Sequence, residues 1–216
     1  MTKRKTGVAV IESKWAPDSN VSVRGLFDLV SEMATENPHG YHYEMANSEA
    51  AIKESIPRIA RYRDCKYLCL AMHGNGDGLH LMNGERLSRT ELRNVLTRIK
   101  TTRGSKLDGV YLSSCIFGTH QLADFIFQQS ASVSWIAGYS EEVDWLDSSA
   151  LDLLFFNHLV WSEASTEAEK IKEVAKRITE VAPGLARELG FGIYVRKQGT
   201  GGAKNLLAPI HLVEAA

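Results

Sequence analysis

A nearly continuous apolar run, Lys66-Tyr-Leu-Cys-Leu-Ala-Met72, stands in the first half of the 216-residue chain and is followed directly by His73 and Gly74. A strand that is apolar on both faces is typical of the centre of a parallel sheet covered by helices on both sides. A second such run, Leu107-Asp-Gly-Val-Tyr-Leu-Ser113, ends two residues before Cys115. These two runs predict the central strands of the fold.

Outward from these two runs, short β-rich segments alternate with longer stretches of helical apolar spacing. This alternation predicts an α/β fold with a mostly parallel central sheet between two layers of helices. At this length a single domain spanning residues 1–216 is expected. The further predicted strands are 7–11, 40–45, 132–138 and 191–196, with a β-excursion over 79–82. The predicted helices are 21–34, 48–61, 88–100, 119–129, 147–161 and 165–181. A mobile Gly-rich loop is predicted over 198–204.

The composition is that of an ordinary globular protein without a strong electrostatic field. Hydrophobic residues make up 44% and charged residues 24% of the chain, and 25 basic against 26 acidic residues leave a formal net charge of −1. With so little net charge, neither nucleic acid nor an anionic membrane surface is expected as a partner. No apolar run approaches the roughly 18 residues of a membrane span. We therefore expect a cytoplasmic protein.

The remaining cysteines and histidines give no sign of a metal or cofactor site. Cys65 and Cys69 fall at the start and in the interior of a strand, where a thiol packs as a small hydrophobe. Five histidines show no metal-ligand spacing with one another or with the cysteines: His39, His42, His120, His158 and His211. Neither a metal ion nor a cofactor is predicted, with a calcium ion at Asp77 as the alternative left open.

His73 and Cys115 both follow central strands, so they are expected at the carboxyl edge of the sheet, where ligands and chemistry collect in open parallel sheets. An unperturbed thiol ionises at about pH 8.5 and needs an adjacent base or a helix N-terminus to act as a nucleophile at neutral pH. His73 and the helix predicted from residue 119 supply both. The amides of Gly74 and Cys115 would point toward an oxyanion. The alternative of a buried core thiol and a structural histidine remains open.

Two blocks resemble those of the caspase-like cysteine peptidases, which include caspases, metacaspases, gingipains, separases and bacterial CHAT proteins. Leu70-Ala-Met-His-Gly74 is similar to their strand-then-His-Gly block, and Val110-Tyr-Leu-Ser-Ser-Cys115 to their second block, in the same order along the chain. The resemblance implies a caspase-like three-layer sandwich with a mostly parallel central sheet. It also implies a cysteine endopeptidase in which His73 is the general acid and base, Cys115 the nucleophile, and the Gly74 and Cys115 amides the oxyanion site.

The chain departs from this family at the substrate pocket. Many members that cleave after basic residues carry an Asp two residues before the nucleophile, where this chain has Ser113. The resemblance places the other acidic wall just after the first strand, where Glu12 is the first candidate and Asp18 the second. The alternative for Glu12 is a helix cap or a pairing with Lys14. Glu142 and Asp144 are further candidates for substrate contact, with a solvated loop as the alternative. A preference for Lys or Arg at the P1 position is expected.

Two other functions remain open at this stage. One is a catalytically silent caspase-like module that senses a ligand or a partner, and the other is a small-molecule thiol hydrolase or amidotransferase. Ser113 counts against the second, because such enzymes place a Gly two residues before the nucleophile. The resemblance further implies an inducible effector of bacterial antiviral defence, acting on protein or peptide substrates and switched on by a small nucleotide, a sensor protein or assembly into a homo-oligomer.

Overall fold

The computed structural model describes residues 7–35, 41–62, 65–101, 105, 107–129, 133–199 and 201–207. Its strands, in chain order, are β1 (Gly7–Glu12), β2 (Tyr41–Met45), β3 (Cys65–Ala71), β4 (His73–Asn75), β5 (Gly78–His80), β6 (Arg86–Ser88), β7 (Gly109–Ser113), β8 (Trp135–Tyr139), β9 (Phe191–Arg196) and β10 (Ala203–Asn205). Its helices are α1 (Arg24–Thr35), α2 (Glu49–Ile59), α3 (Arg89–Thr101), α4 (His120–Gln128), α5 (Trp145–Trp161), α6 (Glu167–Val181) and α7 (Pro183–Glu188).

Seven of these strands form one central sheet in the order β10-β9-β8-β7-β3-β1-β2. Strands β2, β1, β3, β7 and β8 run parallel, whereas β9 and β10 run antiparallel to their neighbours. The two apolar runs of the sequence, β3 and β7, lie side by side near the middle with Ala71 opposite Ser113. The predicted α/β fold with a mostly parallel central sheet is confirmed.

Helices cover both faces of the sheet, because successive side chains of each strand point to opposite faces. In β1, Ala9 and Ile11 join a core with helices α2, α3 and α4, while Val8 and Val10 join a second core with helices α1, α5, α6 and α7. All four side chains are almost completely buried. The sheet is thus the middle of three layers, and its carboxyl edge is left to the loops.

Local signals in the sequence fix where several elements begin. Ser48 and Thr119 cap α2 and α4, each accepting a hydrogen bond from a backbone amide of the first turn. Thr166 and Glu169 form a reciprocal capping box at the start of α6. The β-excursion is a three-stranded antiparallel sheet of β4, β5 and β6, with a turn at Gly84 whose φ is +84°. Glycine adopts this left-handed backbone without steric cost.

Two elements differ from the sequence prediction. Helix α7 follows α6 after one residue and begins with Pro183, which suits the first position of a helix because its missing N–H has no partner there. The predicted mobile loop over 198–204 is wrong at its end, since Ala203 starts β10 and pairs with Arg196 of β9. In the part of the chain that the structure describes, no helix is both long and apolar enough to cross a membrane.

Candidate functional site

His73 and Cys115 meet at the carboxyl edge of the sheet. Strand β3 ends at Ala71 and β7 at Ser113, and these two residues are paired in register. His73 and Cys115 therefore leave adjacent parallel strands at the same level, and both line one cavity of about 130 Å³. The histidine and the thiol that the sequence places at this edge therefore line the same cavity.

The ring of His73 is oriented by the loop that follows β1. Its Nε2 lies 2.9 Å from the carbonyl oxygen of Trp15, and the two rings pack edge-on with centroids 5.1 Å apart. A carbonyl oxygen only accepts, so Nε2 must carry the proton. In a neutral imidazole this leaves the lone pair on Nδ1, which is then the nitrogen free to act as a base.

Gly74 brings the segments that follow β3 and β7 into close backbone contact. A Cβ atom at this position would lie 2.6 Å from the carbonyl oxygen of Cys115 and 3.1 Å from the Cβ of Ser114. Only glycine therefore permits this approach. The contact places the segment His73-Gly74 against the segment Ser114-Cys115 at the edge of the cavity.

The chain reverses sharply just after Cys115. Ile116 has φ +60°, and the amide of Phe117 donates to the carbonyl oxygen of Cys115 at 2.6 Å, which is the pattern of a γ-turn with positive φ. A β-branched residue in this backbone region is strained. The amide of Ile116 donates to Glu141 O at 3.0 Å and that of Gly118 to Tyr139 O at 2.8 Å, so β8 and its loop hold the turn.

The Cys115 side chain is half-buried, and its Sγ lies 4.0 Å from the carbonyl oxygen of Val143. Its surroundings contrast with those of the other two thiols. Cys65 and Cys69 are completely buried in β3, and burial raises the pKa of the Cys69 thiol well above its usual value. Cys115 is thus the thiol of this chain that faces a cavity.

Asp152 of helix α5 also lines the cavity, and the sequence reasoning missed it. Its Oδ1 accepts from the hydroxyls of Tyr111 and, at 2.5 Å, Tyr139; its Oδ2 accepts from Ser113 Oγ at 2.9 Å. Burial raises the pKa of Asp152 to about 6, although these three hydrogen bonds act to lower it. The signal available in the sequence was an acidic residue within the apolar stretch 150–156 of the helix predicted at 147–161.

Ser113 lines the cavity, as expected from the sequence, whereas Glu12 does not line it. The Glu12 side chain is completely buried beneath the loop after β1 and is not among the residues that line the cavity. Its predicted position at the base of the substrate pocket is therefore corrected: the cavity carboxylate comes from α5. The physical reason is that four donors surround Glu12 on the inside of the protein.

The other three substrate candidates are not among the residues that line the cavity either. Asp18 lies exposed in a turn, and Glu142 is exposed in the loop between β8 and α5. Asp144 is the N-cap of α5, where its carboxylate accepts from the amides of Leu146 and Asp147. Asp144 therefore has a structural role at the start of the helix that carries Asp152.

Two of the five histidines considered for metal binding, His39 and His211, lie outside the described residues. Among the residues that are described, no cluster of three His, Cys, Asp or Glu side chains could hold a metal ion. His80 pairs with His73 across the small sheet, but it is not among the residues that line the cavity.

No protein-family model matches the chain, and no curated protein matches it. Among solved structures, the chain is similar to caspase-1 from Spodoptera frugiperda, with a TM-score of 0.48 and 13% identity over 82% of this chain and 77% of that one. It is also similar to a Clostridium acetobutylicum protein described in connection with cystathionine beta-lyase and aluminum resistance, with a TM-score of 0.37 and 11% identity over 97% of this chain and 42% of that one. At these scores neither structure assigns a role to any residue.

Proposed function

We propose that the protein is a caspase-like cysteine endopeptidase in which His73 and Cys115 form the catalytic dyad. The observation that carries the proposal is that both side chains leave adjacent parallel strands and line one cavity, with His73 Nε2–H directed to Trp15 O. The strained turn at Ile116 adds support, because such strain persists mainly at functional sites. It favours an active enzyme over a silent sensing module.

The first half of the reaction forms an acyl-enzyme. Nδ1 of His73 takes the proton of the Cys115 thiol, and the thiolate attacks the carbonyl carbon of the scissile peptide bond. A new S–C bond forms while the carbonyl π electrons move to the oxygen. As the tetrahedral intermediate collapses, the C–N bond breaks, and the leaving amine takes the proton from His73.

The second half restores the enzyme. Nδ1 of His73 takes a proton from water, and the resulting hydroxide attacks the thioester carbonyl. The C–S bond breaks, the thiolate of Cys115 recovers the proton from His73, and the carboxylic acid product leaves. In both halves the backbone amides of Gly74 and Cys115 are the proposed donors to the oxyanion.

Asp152 is the proposed determinant of P1 choice. It reaches the cavity from α5 and contacts Ser113, the residue that stands where many relatives that cleave after basic residues have Asp. Its three hydrogen-bond donors are neutral hydroxyls, so its charge remains available to a cation from the substrate. A P1 side chain of Lys or Arg supplies that cation.

The proposal extends to regulation and biological role. By its resemblance to caspase-like effectors, the protein acts in bacterial antiviral defence, and a small nucleotide, a sensor protein or assembly into a homo-oligomer switches it on. The purified protein is then expected to be weakly active until its activator is added. Full activity of the purified monomer would contradict this part of the proposal. It would not contradict the proposed roles of His73 and Cys115.

The dyad is tested with fluorogenic peptides that carry Arg, Lys, Asp or a neutral isostere such as citrulline at P1. Cys115→Ala and His73→Ala are each expected to lower kcat/KM by at least about 1000-fold. Cys65→Ala, which removes a buried thiol at the start of β3, is the matched control and should keep the activity. Cleavage by Cys115→Ala at the wild-type rate would contradict the proposal, and a preference for Asp at P1 would contradict the role of Asp152.

A further inference from the structure

We propose that Glu12 is a positioning residue that holds His73 in its reactive orientation by fixing Trp15. This inference rests on the proposed function, in which His73 is the acid and base. It assigns Glu12 a role different from the substrate contact expected from the sequence. The observation that carries it is a continuous chain of hydrogen bonds from the Glu12 carboxylate through Trp15 to the imidazole.

Glu12 ends β1 as a fully buried carboxylate with every bond directed inward. Its Oε1 accepts from Trp15 Nε1 at 2.5 Å and from the Val23 amide at 3.0 Å. Its Oε2 accepts from Ser22 Oγ at 2.6 Å and from the Tyr43 hydroxyl at 2.5 Å. Burial raises the pKa of Tyr43 to about 12, so this hydroxyl keeps its proton at neutral pH. Four donors to one carboxylate leave no lone pair directed at a substrate.

Trp15 connects Glu12 to His73 through two different groups. Its indole N–H is bound to Glu12, and its carbonyl oxygen accepts from His73 Nε2 at 2.9 Å. The indole ring also packs edge-on against the rings of His73 and Trp145, with centroids 5.1 and 4.8 Å apart. The hydrogen bond to Glu12 and the ring contact with Trp145 therefore both hold the indole in place.

His73 depends on this arrangement because its ring is exposed at the cavity rim. A histidine in solvent exchanges between its two neutral tautomers and rotates about its side-chain bonds. The Trp15 carbonyl selects the tautomer with the proton on Nε2, which is the one that presents Nδ1 as a base. A shift of the Trp15 carbonyl away from His73 removes this selection without removing any catalytic group.

The decisive comparison is between two variants that each remove one hydrogen bond from Glu12. Trp15→Phe removes one of the two donors to Oε1 and loosens the loop that holds His73. Tyr43→Phe removes a donor to Oε2 that belongs to strand β2 and not to that loop. We expect Trp15→Phe to lower kcat at least about 10-fold, because misplaced groups lower the rate of the chemical step. Tyr43→Phe should keep kcat within about twofold.

A third variant separates positioning from charge. In Glu12→Gln the amide oxygen still accepts from Trp15 and Val23, and the amide group can donate to the hydroxyl oxygens of Ser22 and Tyr43. We expect kcat within about threefold of wild type and an unchanged preference at P1. If Glu12 instead bound the substrate cation, Glu12→Gln would raise KM for Arg and Lys peptides only.

A spectroscopic measurement tests the inference without substrate. The ¹⁵N chemical shifts of the imidazole of His73 should report the Nε2–H tautomer in wild type and Tyr43→Phe, and a mixture of tautomers in Trp15→Phe. Equal shifts and equal kcat in the Trp15→Phe and Tyr43→Phe proteins would overturn the inference while leaving the proposed function intact. Full activity of Cys115→Ala would overturn the proposed function, and the imidazole shifts would still decide whether Trp15 orients His73.

Discussion

Two carboxylates, the buried Asp152 and the half-buried Glu167, lie in the same helical layer at opposite ends of the central strands, and their charged surroundings differ. Asp152 of α5 meets the carboxyl end of β7 at Ser113, while Glu167 of α6 meets the beginning of β3 at Tyr67. Each accepts hydrogen bonds from tyrosine hydroxyls. Of the two, Glu167 is also paired with lysines, and no ion pair of Asp152 occurs among the residues that the structure describes.

Around Glu167 the charge is balanced within the fold. Lys66 Nζ lies 3.0 Å and Lys170 Nζ 3.6 Å from Glu167 Oε1, and the Tyr67 hydroxyl donates to Oε2 at 2.8 Å. Burial acts to raise the pKa of Glu167, but the hydrogen bonds from Lys66 and Tyr67 and the charges of both lysines outweigh it and lower the pKa. This carboxylate stabilises the junction of α6 with the sheet.

Around Asp152 no described residue supplies a cation. Burial therefore dominates and raises the pKa of Asp152 to about 6. The charge of Glu167 is thus balanced by lysines of the same chain, whereas the hydrogen-bond partners of Asp152 are neutral hydroxyls. Because Asp152 is also the acid that lines the cavity, its unpaired charge costs stability and is available for a ligand.

The largest expected effect is on the pH dependence of stability in Asp152→Asn. Asparagine can accept from both tyrosine hydroxyls and donate to Ser113, so the network survives. In wild type the folded-state pKa of Asp152 lies above the unfolded-state value, so the free energy of unfolding falls as pH rises from about 4 to above about 6. We expect Asp152→Asn to exceed wild type by about 3 kcal/mol at pH 8 and to match it near pH 4.

Urea unfolding at several pH values measures this difference. Asp147→Asn is the control, because Asp147 lies exposed on the first turn of the same helix. It should show no gain in stability at pH 8. If the Asp152→Asn protein were less stable than wild type at pH 8, the two carboxylates would both be stabilising and the contrast between them would fail.

A smaller effect is expected where Glu167 loses one of its two lysines. Lys170→Met should lower the free energy of unfolding by about 1 kcal/mol at pH 7, because Lys170 and Glu167 are both largely buried. A lowered folded-state pKa gives stability that is present above the unfolded-state value and lost as pH falls. The difference from wild type should therefore shrink progressively as pH falls below about 4.

The matched control for that change is on the same helix. Lys176 pairs with Glu180 at 3.8 Å, but both side chains are mostly exposed, so Lys176→Met should change stability by less than about 0.5 kcal/mol. Equal losses in the two variants would show that burial does not distinguish the ion pairs of α6. Thermal or urea unfolding at pH 7 and pH 4 is sufficient for both proteins.

The smallest effect is expected at Ser113, whose hydroxyl is one of the three donors to Asp152. This hydrogen bond lowers the pKa of Asp152, so Ser113→Ala should raise that pKa further, by less than about one unit. The measurement is the preference for Arg over citrulline at P1 as a function of pH. In wild type the preference should grow as pH rises through about 6, and in Ser113→Ala the same rise should come at higher pH. An unshifted curve would mean that Ser113 does not influence the acid.

The sheet could be predicted from the sequence because its signals are local. The apolar runs of β3 and β7 are buried on both faces, and that pattern alone identifies them as central strands. Ser48, Thr119 and the Thr166–Glu169 pair mark helix starts through bonds to their own first turns. Strand β10 escaped prediction because three residues after a Gly-rich stretch become a strand only by pairing with β9.

Two residues of the candidate site, His73 and Cys115, could be predicted from local signals of the same kind. His73 and Cys115 are each next to a recognisable strand, and adjacent parallel strands bring their ends together. The carboxylates are different, because their roles depend on contacts distant in the sequence. Glu12 is enclosed by donors from β2 and the loop before α1, and Asp152 reaches Ser113 across 39 positions. An acid within an apolar stretch of helix marks Asp152, but no pattern within one element reveals its contacts or those of Glu12.

The contact at Gly74 joins the two segments that carry His73 and Cys115. Because a Cβ atom at this position would lie 2.6 Å from the carbonyl oxygen of Cys115, a larger residue must push the two segments apart. In the proposed peptidase, Gly74→Ala would therefore widen the distance between imidazole and thiol without changing either group.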